Sequence, residues 1–254
     1  RPGIRRRDQQ FAGPSRDRSR PGKMNPSRSL IWMTLAPAMC LPFVASLFYF
    51  VLFSEYTFSR AIYAGTKVFT LVWPIFTVMF IYRMKLAPIP FRDPRHLQAV
   101  PLGLIAGLAI TLLMMGLMLT PLALVIVDGG HAIGQKTMEL GVLDHYWTFA
   151  IFISVFHSAL EEYYWRWFVY GQLRAVAGRW TAHILGGVSF GAHHIVIVTQ
   201  FFPFWWGVLL GSLVGFGGIL FSLLYERQKS LVGAWVAHMM IDFGIMAIGY
   251  ELIS

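Results

Sequence analysis

Apolar residues in this chain neither alternate nor recur every third or fourth position; they run unbroken. From Leu30 to Phe53 there is no charged side chain. About 20 apolar residues suffice to cross the hydrocarbon core of a bilayer, and the run is too long for a signal peptide. A second run covers Ala61–Tyr82, with Lys67 expected near one end, where its stem can reach the interface. Ala99–Val127 is the third. The fourth starts near Tyr146 and stays apolar to Leu160, where Glu161 and Glu162 interrupt it. Trp180 to Tyr225 is uncharged and long enough for two spans, with Phe202-Pro203-Phe204 as the turn between them. The last run, about Leu231–Ile253, contains His238 and Asp242. The pattern predicts an all-α, polytopic membrane helix bundle of about seven transmembrane helices. The count becomes eight if Ala99–Val127 or the 128–146 connection hides a re-entrant piece.

Composition agrees. Hydrophobic residues make up 56% of the chain and charged residues 13%, and mean hydropathy is +0.58. Soluble domains carry about 25% charged residues, so an ordinary soluble enzyme is excluded. The net charge of +9 is concentrated in residues 1–29, which hold nine Lys/Arg against Asp8 and Asp17. This stretch reads as a disordered basic tail and not as a nucleic-acid face. Met24 stands directly before the first apolar run, so residues 1–23 are expected to be upstream, non-native sequence. The single cysteine, Cys40, excludes an intramolecular disulfide or a cysteine-based zinc site. Three parts follow: the tail 1–29, three helices with their loops in 30–145, and a four-helix membrane core in 146–254. The basic loops are the N-terminus, 83–95, 172–181 and 226–230, and they alternate with acidic or balanced loops. The positive-inside rule then predicts a cytoplasmic N-terminus. A multi-pass protein of the plasma (inner) membrane of a prokaryote is expected. No internal repeat is visible, which weighs against an inverted-repeat transporter.

An ionisable residue inside a span is costly and is by default a functional hypothesis. The last four spans carry Glu161, Glu162, Arg166, His193, His194, His238 and Asp242, with His157 nearby. Glu162 and Arg166 are four apart with the glutamate first, the favourable order for an ion pair. Glu161 is rotated about 100° from that pair. His238 and Asp242 share a helix face. Depths of about 10 to 18 Å from the cytoplasmic helix ends predict one layer that opens to the cytosol. A carboxylate with a neutral imidazole can take a proton from water and pass it to a leaving group, and a second imidazole can stabilise an oxyanion.

Glu-Glu-Tyr-Tyr-Trp-Arg (161–166), Phe-Gly-Ala-His-His (190–194) and His-Met-Met-Ile-Asp (238–242) resemble the three motifs EExxxR, FxxxH and HxxxN/D. These mark the CAAX-protease and bacteriocin-processing (ABI) family of intramembrane endopeptidases, and the resemblance covers roughly residues 157–250. It implies a glutamate-type mechanism on a membrane-associated peptide or protein, without a cofactor. In that mechanism Glu161 and His194 activate water, His238 and residue 242 form the oxyanion hole, and Glu162 with Arg166 is the supporting pair. Position 242 is Asp where Asn is the simpler donor, so Asp242 is expected to act as a protonated donor. The alternative is an ionised Asp242 that holds His238 as imidazolium, with His238 alone carrying the oxyanion.

Two rival readings use the same residues. A zinc-dependent membrane hydrolase would hold its metal on Glu161, His194 and His238, with Asp242 as fourth ligand or base. A pseudoprotease or membrane chaperone would need no catalysis. Other features have plainer readings. His193 is expected to line core or pore, His157 can orient Glu161, and His183 is expected at the interface. Gly187-Val188-Ser189-Phe190-Gly191 lies within a membrane helix, so its small residues are assigned to helix packing, as are Gly207, Gly211, Gly215 and Gly218.

Overall fold

A computed structural model describes residues 26–86, 92–139 and 141–253. The expected tail lies largely outside the described residues. Ser27 accepts a hydrogen bond from the Leu30 amide at 3.2 Å and starts α1 (Arg28–Leu52) two residues earlier than the apolar run implies. α2 covers Ser59–Ile81. α3 (Pro94–Leu117) begins behind Asp93, whose carboxylate accepts from the Arg95 amide, with the fixed φ of Pro94 suiting the first helical position. The chain then breaks at 118–121, so the third apolar run divides. Pro121 has no amide hydrogen to continue the ladder, and α4 (Leu122–Glu139) follows as a separate helix. α5 runs continuously from 146 to 176, α6 covers Arg179–Val198, α7 Phe204–Gln228 and α8 Leu231–Ile253. No strand occurs among the described residues.

Six of these helices are long and apolar enough to cross a membrane: α1, α2, α3, α6, α7 and α8. α5 is long enough but carries Glu161, Glu162 and Arg166 in its interior. α4 does not disturb the alternation of loops. Gly129 sits against Phe202, Gly130 against Leu252 and Gly134 against Ile253, so α4 lies at one end of the bundle, beside the turn at 199–203 and the C-terminal end of α8. Among the described residues, seven helices run the length of the bundle and the eighth covers one end.

Small residues set two close pairs. α6 and α7 run antiparallel through Gly187, Gly191, Gly207, Gly211 and Gly215; a Cβ at Gly191 would lie 2.8 Å from the Gly215 Cα. α3 and α8 run parallel, with Gly107 against the backbone of Ala237 and the Thr111 hydroxyl donating to the Met240 carbonyl at 3.2 Å. α1 and α2 attach to α5 by longer side chains: the Tyr164 hydroxyl donates to the Ala38 carbonyl (2.7 Å) and that of Tyr163 to the Leu71 carbonyl (3.0 Å). At the end that holds the basic loops, His183 is fully buried and not interfacial. Its Nδ1 lies 2.7 Å from the Ser222 hydroxyl and its Nε2 3.2 Å from Glu226. Arg179 joins Glu226 at 2.6 Å, so a histidine there is held by a polar network within protein.

A Cβ at Gly211 would meet the Ile195 backbone at 2.6 Å, whereas nothing lies within 4 Å of one at Gly217. Gly211→Val is expected to destabilise the bundle by about 1–3 kcal/mol through overpacking. Gly217→Ala should leave it unchanged. Thermal unfolding of the detergent-solubilised protein, followed by size-exclusion chromatography, checks both.

Candidate active site

α5 alternates between helix types. Two π-helical stretches, Phe152–His157 and Tyr163–Tyr170, bracket the short α-helical stretch Ser158–Glu162 that carries both glutamates. Wider turns of this kind are frequent at functional sites. The neighbours Glu161 and Glu162 point to different surroundings. Glu162 is 1% exposed, with Oε2 3.1 Å from Arg166 Nε and Oε1 2.8 Å from His238 Nδ1. The contact with Arg166 lies off the line of a hydrogen bond, so charge holds it. The Arg166 guanidinium stacks between Phe190 of α6 and Phe221 of α7, at 4.5 and 5.0 Å from their ring centres.

Glu161 meets imidazoles. Its Oε1 lies 3.3 Å from His157 Nε2 and 3.9 Å from His193 Nε2, and its Oε2 lies 3.6 Å from His238 Nε2. A carboxylate oxygen of Glu161 and ring nitrogens of His193 and His194 lie within 4.8 Å of one another, close enough to be drawn onto a metal ion. That trio is not the expected one: His193 stands in it in place of His238. His194 donates from Nδ1 to the Phe190 carbonyl at 2.8 Å, which leaves Nε2 with its lone pair. His193 stacks parallel on Trp165, with ring centres 5.5 Å apart. His238 stacks on Phe221, and its Nε2 faces Asp242 Oδ1 at 3.6 Å, the same nitrogen that faces Glu161. All seven motif residues are therefore brought together, with His157 and His193 added to them.

Part of this cluster borders a cavity of about 240 Å³, whose lining does not include His238 or Asp242. Glu161, His157, His193 and His194 form one wall; Ser46 and Tyr49 of α1 and Tyr63 and Lys67 of α2 form the other. Most lining residues lie in the halves of their helices nearer the loops 53–58 and 199–203, away from the basic loops. Measured from the helix ends beside the basic loops at 1.5 Å per residue, Glu161 and His194 lie about 22 Å in, deeper than the sequence implies, chiefly because α5 continues to Val176. His238 and Asp242 keep their expected depths on α8, which starts at Leu231.

Fold and site together define a class: helical multi-pass proteins with an acid–imidazole centre inside the bundle. The family model described as Rce1-like, type II CAAX prenyl endopeptidase, matches residues 143–244. The resemblance read from the three motifs is borne out over that segment, and a membrane endopeptidase in general is supported. With the six apolar helices, the match makes this an integral, multi-pass membrane protein. No curated protein and no solved structure matches the chain.

Lys67 is a further residue whose place differs from the sequence expectation. It does not extend to the interface but lines the cavity, with Nζ 3.4 Å from His157 Nδ1. The available signal was that it is the one charged residue between Ala61 and Tyr82. Tyr49 and Tyr63 carried no such signal, since aromatic residues are common in apolar helices.

Arg166→Met should cost about 3–5 kcal/mol, because it leaves the Glu162 carboxylate buried without its cation. Adding Glu162→Gln should recover part of that loss. Unfolding midpoints of both variants in detergent test the order.

Proposed function

We propose that this chain is an intramembrane endopeptidase of the glutamate type, cleaving a peptide bond of a membrane-associated substrate with water activated by Glu161 and His194. The observation that carries the reading is the convergence of the Glu161 carboxylate with the rings of His193 and His194 at the cavity wall. Water held between Glu161 and His194 Nε2 gives up a proton to this pair as its oxygen bonds to the scissile carbonyl carbon. The oxyanion of the tetrahedral intermediate is stabilised by donors. The same proton then passes to the leaving nitrogen, the C–N bond breaks, and a carboxylic acid and an amine leave.

His238 suits the oxyanion role because its Nδ1 is tied to Glu162 and its Nε2 faces Glu161 and Asp242. To donate from both nitrogens it carries two protons, with Glu162 as counter-charge. Asp242, as a carboxylic acid, is a second donor. The family's printed description makes a prenylated CAAX-type peptide the first probe to try.

One observation favours a second reading, zinc-dependent hydrolysis: Glu161, His193 and His194 have the spacing to close on a metal. The Lys67 side chain lining the same cavity weighs against a bound cation. Activity that survives a strong chelator supports the glutamate reading; activity lost and restored by zinc supports the other.

On a quenched-fluorescent farnesylated CAAX peptide, Glu161→Gln is expected to lower kcat by about 10²–10⁴. Asp242→Asn should stay within tenfold of wild type, since the amide replaces the donor. A larger loss in Asp242→Asn removes Asp242 from the oxyanion hole, and an undiminished Glu161→Gln removes the base assignment.

Orientation follows from loop charge, with the basic loops cytoplasmic, so the cavity belongs to the half of the bundle away from the cytosol. In a Cys40→Ser background, Lys85→Cys should react with membrane-impermeant thiol reagents from the cytoplasmic face and Tyr49→Cys from the opposite face. Labelling of both from one face would overturn this arrangement.

A further inference from the structure

We propose that Lys67, on α2 and outside the segment that matches the family, is a positioning residue for Glu161: it selects the tautomer of His157 and so supplies Glu161 with a fixed hydrogen-bond donor. The inference rests on Glu161 being the base, but its geometry stands apart from that role.

Lys67 Nζ lies 3.4 Å from His157 Nδ1, and His157 Nε2 lies 3.3 Å from Glu161 Oε1. An ammonium has three donors and no acceptor. A contact with it requires His157 Nδ1 to accept, and a neutral imidazole that accepts at Nδ1 carries its proton on Nε2. That proton is on the nitrogen that lies 3.3 Å from Glu161 Oε1. Without the ammonium, the ring is free to carry the proton on Nδ1 and turn a lone pair toward the carboxylate, which repels it. One amine on α2 thus determines whether the ring next to Glu161 is a donor or an acceptor.

The lysine is itself held in place. Its Nζ sits 5.2 Å from the centre of the Tyr63 ring, one turn earlier on α2, and both residues line the cavity. The backbone carbonyl of Lys67 accepts from the Thr70 hydroxyl at 2.9 Å. Glu161 is braced on both oxygens, Oε1 by His157 and His193 and Oε2 by His238. A base held in this way reaches the attacking water in one orientation, and loss of an outer partner that orients such a group commonly costs on the order of tenfold or more.

Two measurements test the proposal. The first needs no substrate: nitrogen-15 spectra of ring-labelled histidines in the detergent-solubilised protein, with His157 identified by its loss in His157→Asn. Wild type should show His157 protonated on Nε2, and Lys67→Met should bring in the Nδ1-protonated form. His194, whose Nδ1 donates to Phe190, should stay unchanged as an internal control. The second is cleavage of the farnesylated CAAX peptide. Lys67→Met should lower kcat about tenfold with KM within twofold, and Lys67→Arg should retain most of the rate. In a His157→Asn background, whose amide donates without any choice of tautomer, Lys67→Met should cost no more than twofold. A wild-type His157 protonated on Nδ1, a tautomer unchanged in Lys67→Met, or losses that multiply in the double variant would each overturn the proposal. If Lys67→Met does not accumulate as folded protein, Lys67→Leu, which also removes every donor, is read by the same spectra. Failure of the base assignment is seen separately, as an active Glu161→Gln, and leaves the tautomer result standing.

Discussion

Glu162 is almost fully buried, and its two carboxylate oxygens face different partners, Arg166 on its own helix and His238 on α8. A lone carboxylate at that depth would cost several kcal/mol, so both contacts are structural necessities before they are functional ones. Arg166 in turn lies between Phe190 and Phe221. One ion pair therefore registers α5 against α6, α7 and α8. Because His238 is oriented through the same carboxylate, any change that moves the pair also moves the ring facing Glu161. Stability of the bundle and alignment of the site are the same set of contacts.

Long uncharged runs were legible because a bilayer permits little else, and the motif residues were legible because ionisable groups in such runs are rare. The turn at Pro203 and the glycine stripe on α6 and α7 followed from the same reading. The division of Ala99–Val127 was less visible. A break at Pro121 within apolar sequence carries no charge to announce it, and only packing against Phe202 and Leu252 shows where α4 goes. The depth of Glu161 was misjudged for a related reason. The end of α5 was drawn where charges begin, yet the helix runs through Arg174. Charged side chains near a membrane surface do not end a helix. His183 failed by the same logic, since its partners Ser222 and Glu226 lie on another helix some 40 positions away.

The π-helical stretches in α5 leave intact the spacing that sorted Glu161 from Glu162. The same spacing gave them His157 and Arg166 as partners on the same helix, but not their neighbours on other helices. Between the two stretches, residues 158–162 keep ordinary α geometry, so adjacent glutamates still diverge by about 100°. Beyond residue 162 the phase changes, and an angular projection carried through residues 163–170 no longer reports which neighbour a side chain meets. The short α-helical stretch keeps His157 on the face of Glu161, while the stretch after it lets Arg166 reach the interval between two aromatic rings.

The segment 143–244 contains every acid and imidazole of the proposed mechanism, yet it does not enclose the cavity. Tyr49 and Tyr63, from helices upstream of that segment, supply the opposite wall. Water activation in a membrane needs both parts: polar groups to hold the water and a wall that keeps lipid out while admitting a peptide. The polar groups are constrained by chemistry, so a few residue types at fixed spacing recur and can be read from sequence. The wall is constrained by shape alone, which many apolar sequences satisfy. Such a wall leaves no motif, and a charged residue within it, as Lys67 is, becomes interpretable only through the side chain it touches.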